Sequence, residues 1–271
     1  MIVAAAAAAT GAVVSGPVTF GDVALSLLLV VAAIAVSRWR GVGLEGDMGI
    51  ATVRSFVQLV AVGYVLDFVF AGHGWLTSAT LAVMIVTAAL TSGARARRVP
   101  GSRIVAVASI SLATAATLGV LAVLGVVPVS ARAVIPLGSM IITSAMNTTS
   151  VVMTRFYGDL AANRREVEAR LSLAQSSRQA ALPWHRAALR TGMIPTVDQT
   201  KVVGLVALPG AMTGMILAGA SPLAAIRLQL VVMYMLLGGN AFAALVAAEL
   251  SGRRLFTPSQ QLIRSLRRTP S

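Results

Sequence analysis

Between positions 139 and 148 the chain reads SMIITSAMNT. Ser139, Thr143 and Asn147 recur at i, i+4 and i+8, so a helix would carry all three on one face. Ser144 and Thr148 occupy the adjacent row, with Met140 one turn before Ser144. Hydroxyls, an amide and a thioether offer weak, transient contacts, the chemistry of a passage rather than of bond cleavage. In an apolar helix such groups are costly and turn toward the protein interior. They either bond between packed helices or line a substrate path, which would put Asn147 near its middle.

The other side chains narrow the chemistry. There are no cysteines, which excludes disulfides, zinc thiolates and iron–sulfur clusters. The two histidines, His73 and His185, stand far apart in sequence, and no carboxylate cluster falls in the apolar runs. Thioethers suit soft ions such as Cu(I), which places Met212 and Met215 beside the candidate path, although methionine is also an ordinary core filler. No GxxxxGK[ST], HExxH or GxSxG occurs, so the chain has no Walker loop, bound cofactor or catalytic centre of its own.

The elements that position these residues are membrane helices. Hydrophobic residues make up 57% of the 271 and charged ones only 11%, against about 25% charged in soluble domains. The expected fold is all-α: a single transmembrane domain over 1–271, with spans at about 20–37, 50–70, 75–93, 104–127, 133–154, 202–219 and 224–250. The N-terminal alanine run lacks the basic start of a signal peptide and reads as an outer tail. Of the 22 lysines and arginines, all but Arg54, Arg132 and Arg227 fall in the connections 38–49, 94–103 and 155–201 or in the tail after the last span. The positive-inside rule makes that side cytoplasmic, with the N-terminus outside and the C-terminus inside. The net charge of +13 is therefore topology in a multi-pass protein of the plasma (inner) membrane, and no nucleic-acid partner is implied.

Two further stretches stand out. Residues 202–219 form an apolar run interrupted by Pro209, with Gly210 and Gly214 in a GxxxG spacing. That pattern suits a helix gate or a close packing seam. Residues 155–200 form a cytoplasmic segment in which 159–182 reads as one amphipathic helix. Its apolar stripe is Leu160, Val167, Leu171 and Ala174, its i,i+4 ion pairs are Glu166–Arg170 and Arg164–Glu168, and Pro183 and Pro195 punctuate the segment.

The stretch IPTVD…K…VGLVALPGAMTGMILAG followed by SPLAAIRLQL, and the block RSFVQLVAVGYVLDFVF at 54–70, resemble the FetB-like permeases. These are membrane subunits of ATP-binding-cassette systems linked to iron export in bacteria, and are similar to aluminium-tolerance permeases of plants. The resemblance is collinear over roughly 25–250. It implies a homodimer in the lipid bilayer, driven by a separate cassette ATPase subunit that holds the ATP, with an iron or metal-related substrate. EARLSLAQSSRQA at 168–180 is similar to the family's ATPase-docking loop, which implies coupling roles for Val167, Glu168, Leu171 and Ala174. The family usually has Gly where this chain has Ala174, a change expected to favour helix over a tight turn. It often has Gly-Asn at Thr143-Ser144, while Met146 matches. The alternative reading from the residues is a self-standing secondary transporter or channel.

Overall fold

The structure is a computed structural model and describes residues 20–41, 43–72, 74–206 and 208–267. The N-terminal alanine run, His73 and Ser271 lie outside them. The described residues are helical apart from turns, short irregular stretches and isolated bridges such as the antiparallel one from Phe256 to Leu262. The helices are α1 (Phe20–Arg40), α2 (Glu45–Ala71), α3 (Gly74–Arg95), α4 (Ser102–Val123), α5 (Ala131–Ala162), α6 (Arg164–Ser172), α7 (Ser177–Val202), α8 (Gly210–Leu217), α9 (Pro222–Leu255) and α10 (Arg264–Arg267). They form two units, divided after Gly72.

In the first unit α1 and α2 pack as a hairpin, tied where Ser37 donates to Glu45 Oε1 at 3.1 Å. Most of their large apolar side chains are exposed, among them Leu28, Leu29, Phe56 and Leu59. Two such helices suit contact with lipid acyl chains.

In the second unit α5 is central and packs against α3, α4, α7 and α9. The contact surfaces are lined by small side chains, including Ala89, Ala106, Ala113, Ala145, Ala188, Ala243 and Ala247. Hydrophobic driving force between helices vanishes in lipid, and small residues let backbones approach closely enough for dispersion to hold them. One close contact is that of α5 and α7. A Cβ at Gly192 would collide with Val152 and approach the Thr148 carbonyl oxygen at 3.5 Å. Helices α3 and α5 run parallel: Leu81 lies on Gly138, and further along both helices Arg95 reaches Asn147. Arg95 closes α3 at one end of the bundle, where Arg103 lies against Gly93 and the Arg254 guanidinium against Gly101.

Five described helices are long and apolar enough to cross a membrane: α1, α2, α3, α4 and α9. The expected fifth span lies within α5, which is long enough at 32 residues but is diluted by its polar stripe. The expected sixth span, 202–219, is not one helix. Helix α7 runs to Val202, Gly204 takes a left-handed φ of +83°, and Pro209 precedes an α8 of only eight residues. Eight residues rise about 12 Å, well short of a bilayer core of about 30 Å. Proline's missing N–H and ring clash end a helix, so the weak point anticipated within this run is a break. Among the described residues nothing lies within 4 Å of a Cβ built at Gly210 or Gly214.

The helix expected over 159–182 is also divided. Helix α5 continues past the span to Ala162, where Asn163 caps it by donating to the Asp159 carbonyl at 2.8 Å. Helix α6 ends at Ser172, and α7 starts from a Ser176–Gln179 capping box. Ala174 between them adopts φ +62°, so the tight turn forms without glycine, at a cost of roughly 1–2 kcal/mol for an L-residue. Pro183 and Pro195 lie inside α7 and do not break it. Each costs a backbone hydrogen bond, and the helix persists because Ala181, Trp184, Ala188 and Gly192 are buried on its packed face.

Candidate functional site

The Ser139–Thr143–Asn147 row lies on the face of α5 turned away from the core. Thr143 and Asn147 are exposed and Ser139 is half-buried. Ser139 donates back to the Pro136 carbonyl at 2.7 Å, within its own helix. Asn147 accepts from Arg95 Nη1 at 2.9 Å through its side-chain oxygen. Asn147 is thus level with the basic end of α3. Thr87 and Thr91 of α3 are exposed too, two turns and one turn before Arg95, their hydroxyls donating to the Val83 and Thr87 carbonyls at 2.8 and 2.9 Å. Two neighbouring helices therefore carry an open polar face that ends at the Arg95–Asn147 bond.

Thr148 belongs to a different surface. It is buried in the α5–α7 contact beneath Gly192. Ser144 is tied to the core by a residue absent from the sequence reading: Asn240 of α9, 1% exposed, donates to Ser144 Oγ at 2.7 Å and to Thr196 Oγ1 at 2.6 Å. One amide thus joins α5, α7 and α9. The polar row is therefore split, Ser144 and Thr148 serving packing and Ser139, Thr143 and Asn147 facing outward. The signal for the junction was an asparagine in the apolar stretch of α9, easily lost beside the richer stripe. Met212 and Met215 lie on α8, which packs mainly against α9 among the described helices. They are half-buried and are not gathered onto the Asn147 face.

The basic end of the unit carries a second surface. Both expected ion pairs form, Glu166–Arg170 at 2.7 Å and Arg164–Glu168 at 3.0 Å, and Arg170 lies over the Trp184 ring at 5.3 Å, joining α6 to α7. Val167 is buried in the chain's own core, Leu171 packs at its edge and Ala174 is exposed. The stripe expected to face a partner is thus largely occupied. After α9, residues 256–262 fold back as a short hairpin, Leu262 and Leu266 enter the same core, and Gln260 Oε1 accepts from the Ser177 N–H at 2.5 Å. Glu168, Leu171, Ser172, Gln260 and Gln261 line a groove of about 400 Å³ between α6 and this hairpin. Beside it, Leu173 in the α6–α7 turn is 76% exposed. This leucine stands in the turn between Ser172 and the Ser176–Gln179 capping box, outside the apolar spans.

A neighbouring cavity of about 320 Å³ is lined by Phe156, Arg178, His185, Glu249 and Phe256 among others. The His185 ring meets Phe156 edge-on at 5.6 Å, and its Nε2 is buried without a hydrogen-bond partner among the described residues. Burial holds the imidazole pKa below its ordinary value; Glu249 opposes that shift and Arg178 adds to it. The unfolded chain therefore takes up a proton near pH 6.5 while the folded one does not, so stability falls as pH drops through that value. Thermal unfolding at pH 7 and pH 5 should show a loss in the parent that His185→Gln largely removes. Equal losses in both proteins would refute the buried neutral imidazole.

Among the described residues no three histidine, cysteine or acidic side chains cluster to hold a metal.

Comparison with known proteins follows the whole chain rather than the site alone. Residues 20–256 match the uncharacterised protein family UPF0014. The UPF0014 membrane protein STAR2 of rice (Oryza sativa subsp. japonica) is 40% identical over 236 residues, 86% of this chain and 82% of its own. Protein ALUMINUM SENSITIVE 3 of Arabidopsis thaliana is 40% identical over 241 residues, 88% of each chain. The probable iron export permease protein FetB of Escherichia coli (strain K12) is 32% identical over 247 residues, 91% of this chain and 95% of its own. No solved structure matches the chain.

Proposed function

The chain belongs to the UPF0014 family, and from that premise we propose that it is the permease subunit of an ATP-binding-cassette exporter in the plasma (inner) membrane. It works as a homodimer with separate ATPase subunits, its basic end in the cytoplasm and its substrate iron or another metal-related solute. The likeness to a probable iron export permease over nearly the whole chain supports the class. Seven crossings per subunit follow if α5 and the broken 202–219 stretch span alongside the five apolar helices.

The observation that carries the reading is the exposed polar face of α5. A helix long enough to cross the bilayer does not turn Thr143 and Asn147 toward acyl chains without cost, so in the membrane this face meets water or protein. Both conditions hold in a path formed between two copies. The groove at α6 and the bare Leu173 supply a place for the ATPase to grip, with Glu168 and Leu171 at its edge.

Asn147→Leu separates path from packing. It removes only the bond to Arg95 and faces outward, so the thermal midpoint should stay close to that of the parent while transport falls at least about tenfold, the equivalent of 1.4 kcal/mol. A packing role predicts the opposite pattern, normal transport and a stability loss of about 0.6–1.7 kcal/mol, as for one interhelical bond.

A further inference from the structure

The acidic side chains of the second unit are all engaged. Asp159 pairs with Arg155, Glu168 with Arg164, Glu166 with Arg170, Asp198 with Lys201 and Glu249 with Arg253, each on its own helix at 2.7–3.2 Å. These are the unit's five acids, and none lies on the Ser139–Thr143–Asn147 row. What stands at the end of that row is a guanidinium. An arginine at the basic end of a span follows from topology alone, but Arg95 is more specifically placed. Its Nη1 is held over the exposed face of α5 by an amide in the middle of that helix. With its oxygen bonded to Arg95, Asn147 presents its NH₂ group to the open face, and Thr143 adds a hydroxyl. The remaining guanidinium N–H groups and the amide are donors, and a guanidinium fork matches the oxygens of carboxylates and phosphates. A hydrated metal cation on this face would meet a fixed like charge, with no carboxylate of this unit on the row to replace its water shell.

We infer that the α5 face selects substrates of net negative charge: an oxyanion, or a metal carried inside an oxygen-rich anionic complex. This rests on the reading of that face as the substrate path and gives the path its charge preference. Metal export is then the movement of a complex and not of a bare ion.

The natural chain has no cysteine, so one can be introduced at Thr143, one turn from Asn147. Thr143→Cys in nanodiscs is treated with the anionic sulfonatoethyl and the cationic trimethylammonioethyl methanethiosulfonates, each rate divided by that of the denatured chain. The inference expects the anionic reagent to be favoured at least about tenfold, the preference to collapse on adding Arg95→Gln and to survive Arg95→Lys. High salt should erase it without any substitution at Arg95, which keeps the test clear of folding defects. Preference for the cationic reagent, or a ratio indifferent to Arg95→Gln and to salt, overturns the charge selection while leaving the path intact. Modification by neither reagent overturns the path reading itself. Protection by citrate or inorganic phosphate would point to a free oxyanion and protection by ferric citrate alone to a complexed metal. Protection by hydrated Mn²⁺ would contradict the inference.

Discussion

Gly192→Leu should leave no folded protein to purify. Even a single Cβ at this position overlaps Val152, a β-branched side chain that is fully buried and cannot swing aside. The Thr148 carbonyl closes the other side at 3.5 Å, and backbone cannot yield without separating α5 from α7. Separation would also break the Asn240 bonds to Ser144 and Thr196, since these span the same helices. Gly192→Ala should be tolerated at a cost of about 1–3 kcal/mol, the usual range for overpacking. Val152→Ala in the same chain should restore much of that loss, a coupling that a double-mutant cycle measures directly. Additive effects of the two alanines would show that the contact is looser than described.

The second large effect is expected at Leu173. Leu173→Asp places a carboxylate on the one bulky apolar side chain left bare in the α6–α7 turn. Within the chain it touches little, so the thermal midpoint of the isolated permease should hold. Against an apolar socket on an ATPase the unpaired charge must be desolvated, which costs several kcal/mol. Co-purification of the ATPase subunit and permease-stimulated ATP hydrolysis should each fall by more than about tenfold. Leu171→Asp is a less selective probe, because Leu171 also packs against the chain's own core and its loss would mix folding with docking. Retained association in Leu173→Asp would remove this turn from the interface.

Much of this was legible in the sequence. Hydropathy located α3, α4 and α9, and the i,i+4 spacing of Glu166, Arg170, Arg164 and Glu168 became ion pairs, because local pairs on a helix depend on little else. The polar row on α5 was visible, but its division was not. Periodicity gives faces, whereas which face meets a neighbour depends on helices distant in sequence. For that reason Asn240 and Thr196 escaped notice, and so did the role of Gly192. The boundaries at 172–177 did have a local signal, since Ser176 and Gln179 are a capping box three residues apart, but the apolar stripe on either side outweighed it. Pro183 and Pro195 misled in the other direction: buried packing on α7 overrode a strong helix breaker. The hairpin after α9 had no periodic pattern to mark it.

The central claim is that this chain forms a path driven by ATP hydrolysed on a separate subunit. It is tested most directly in inside-out vesicles holding the permease and its cassette ATPase, supplied with radioactive iron as ferric citrate on the outer, formerly cytoplasmic, side. The account predicts accumulation that requires ATP and the ATPase subunit, and that Leu173→Asp and Asn147→Leu each lower at least about tenfold. Accumulation by the permease alone, driven by an ion gradient and indifferent to ATP, would contradict it.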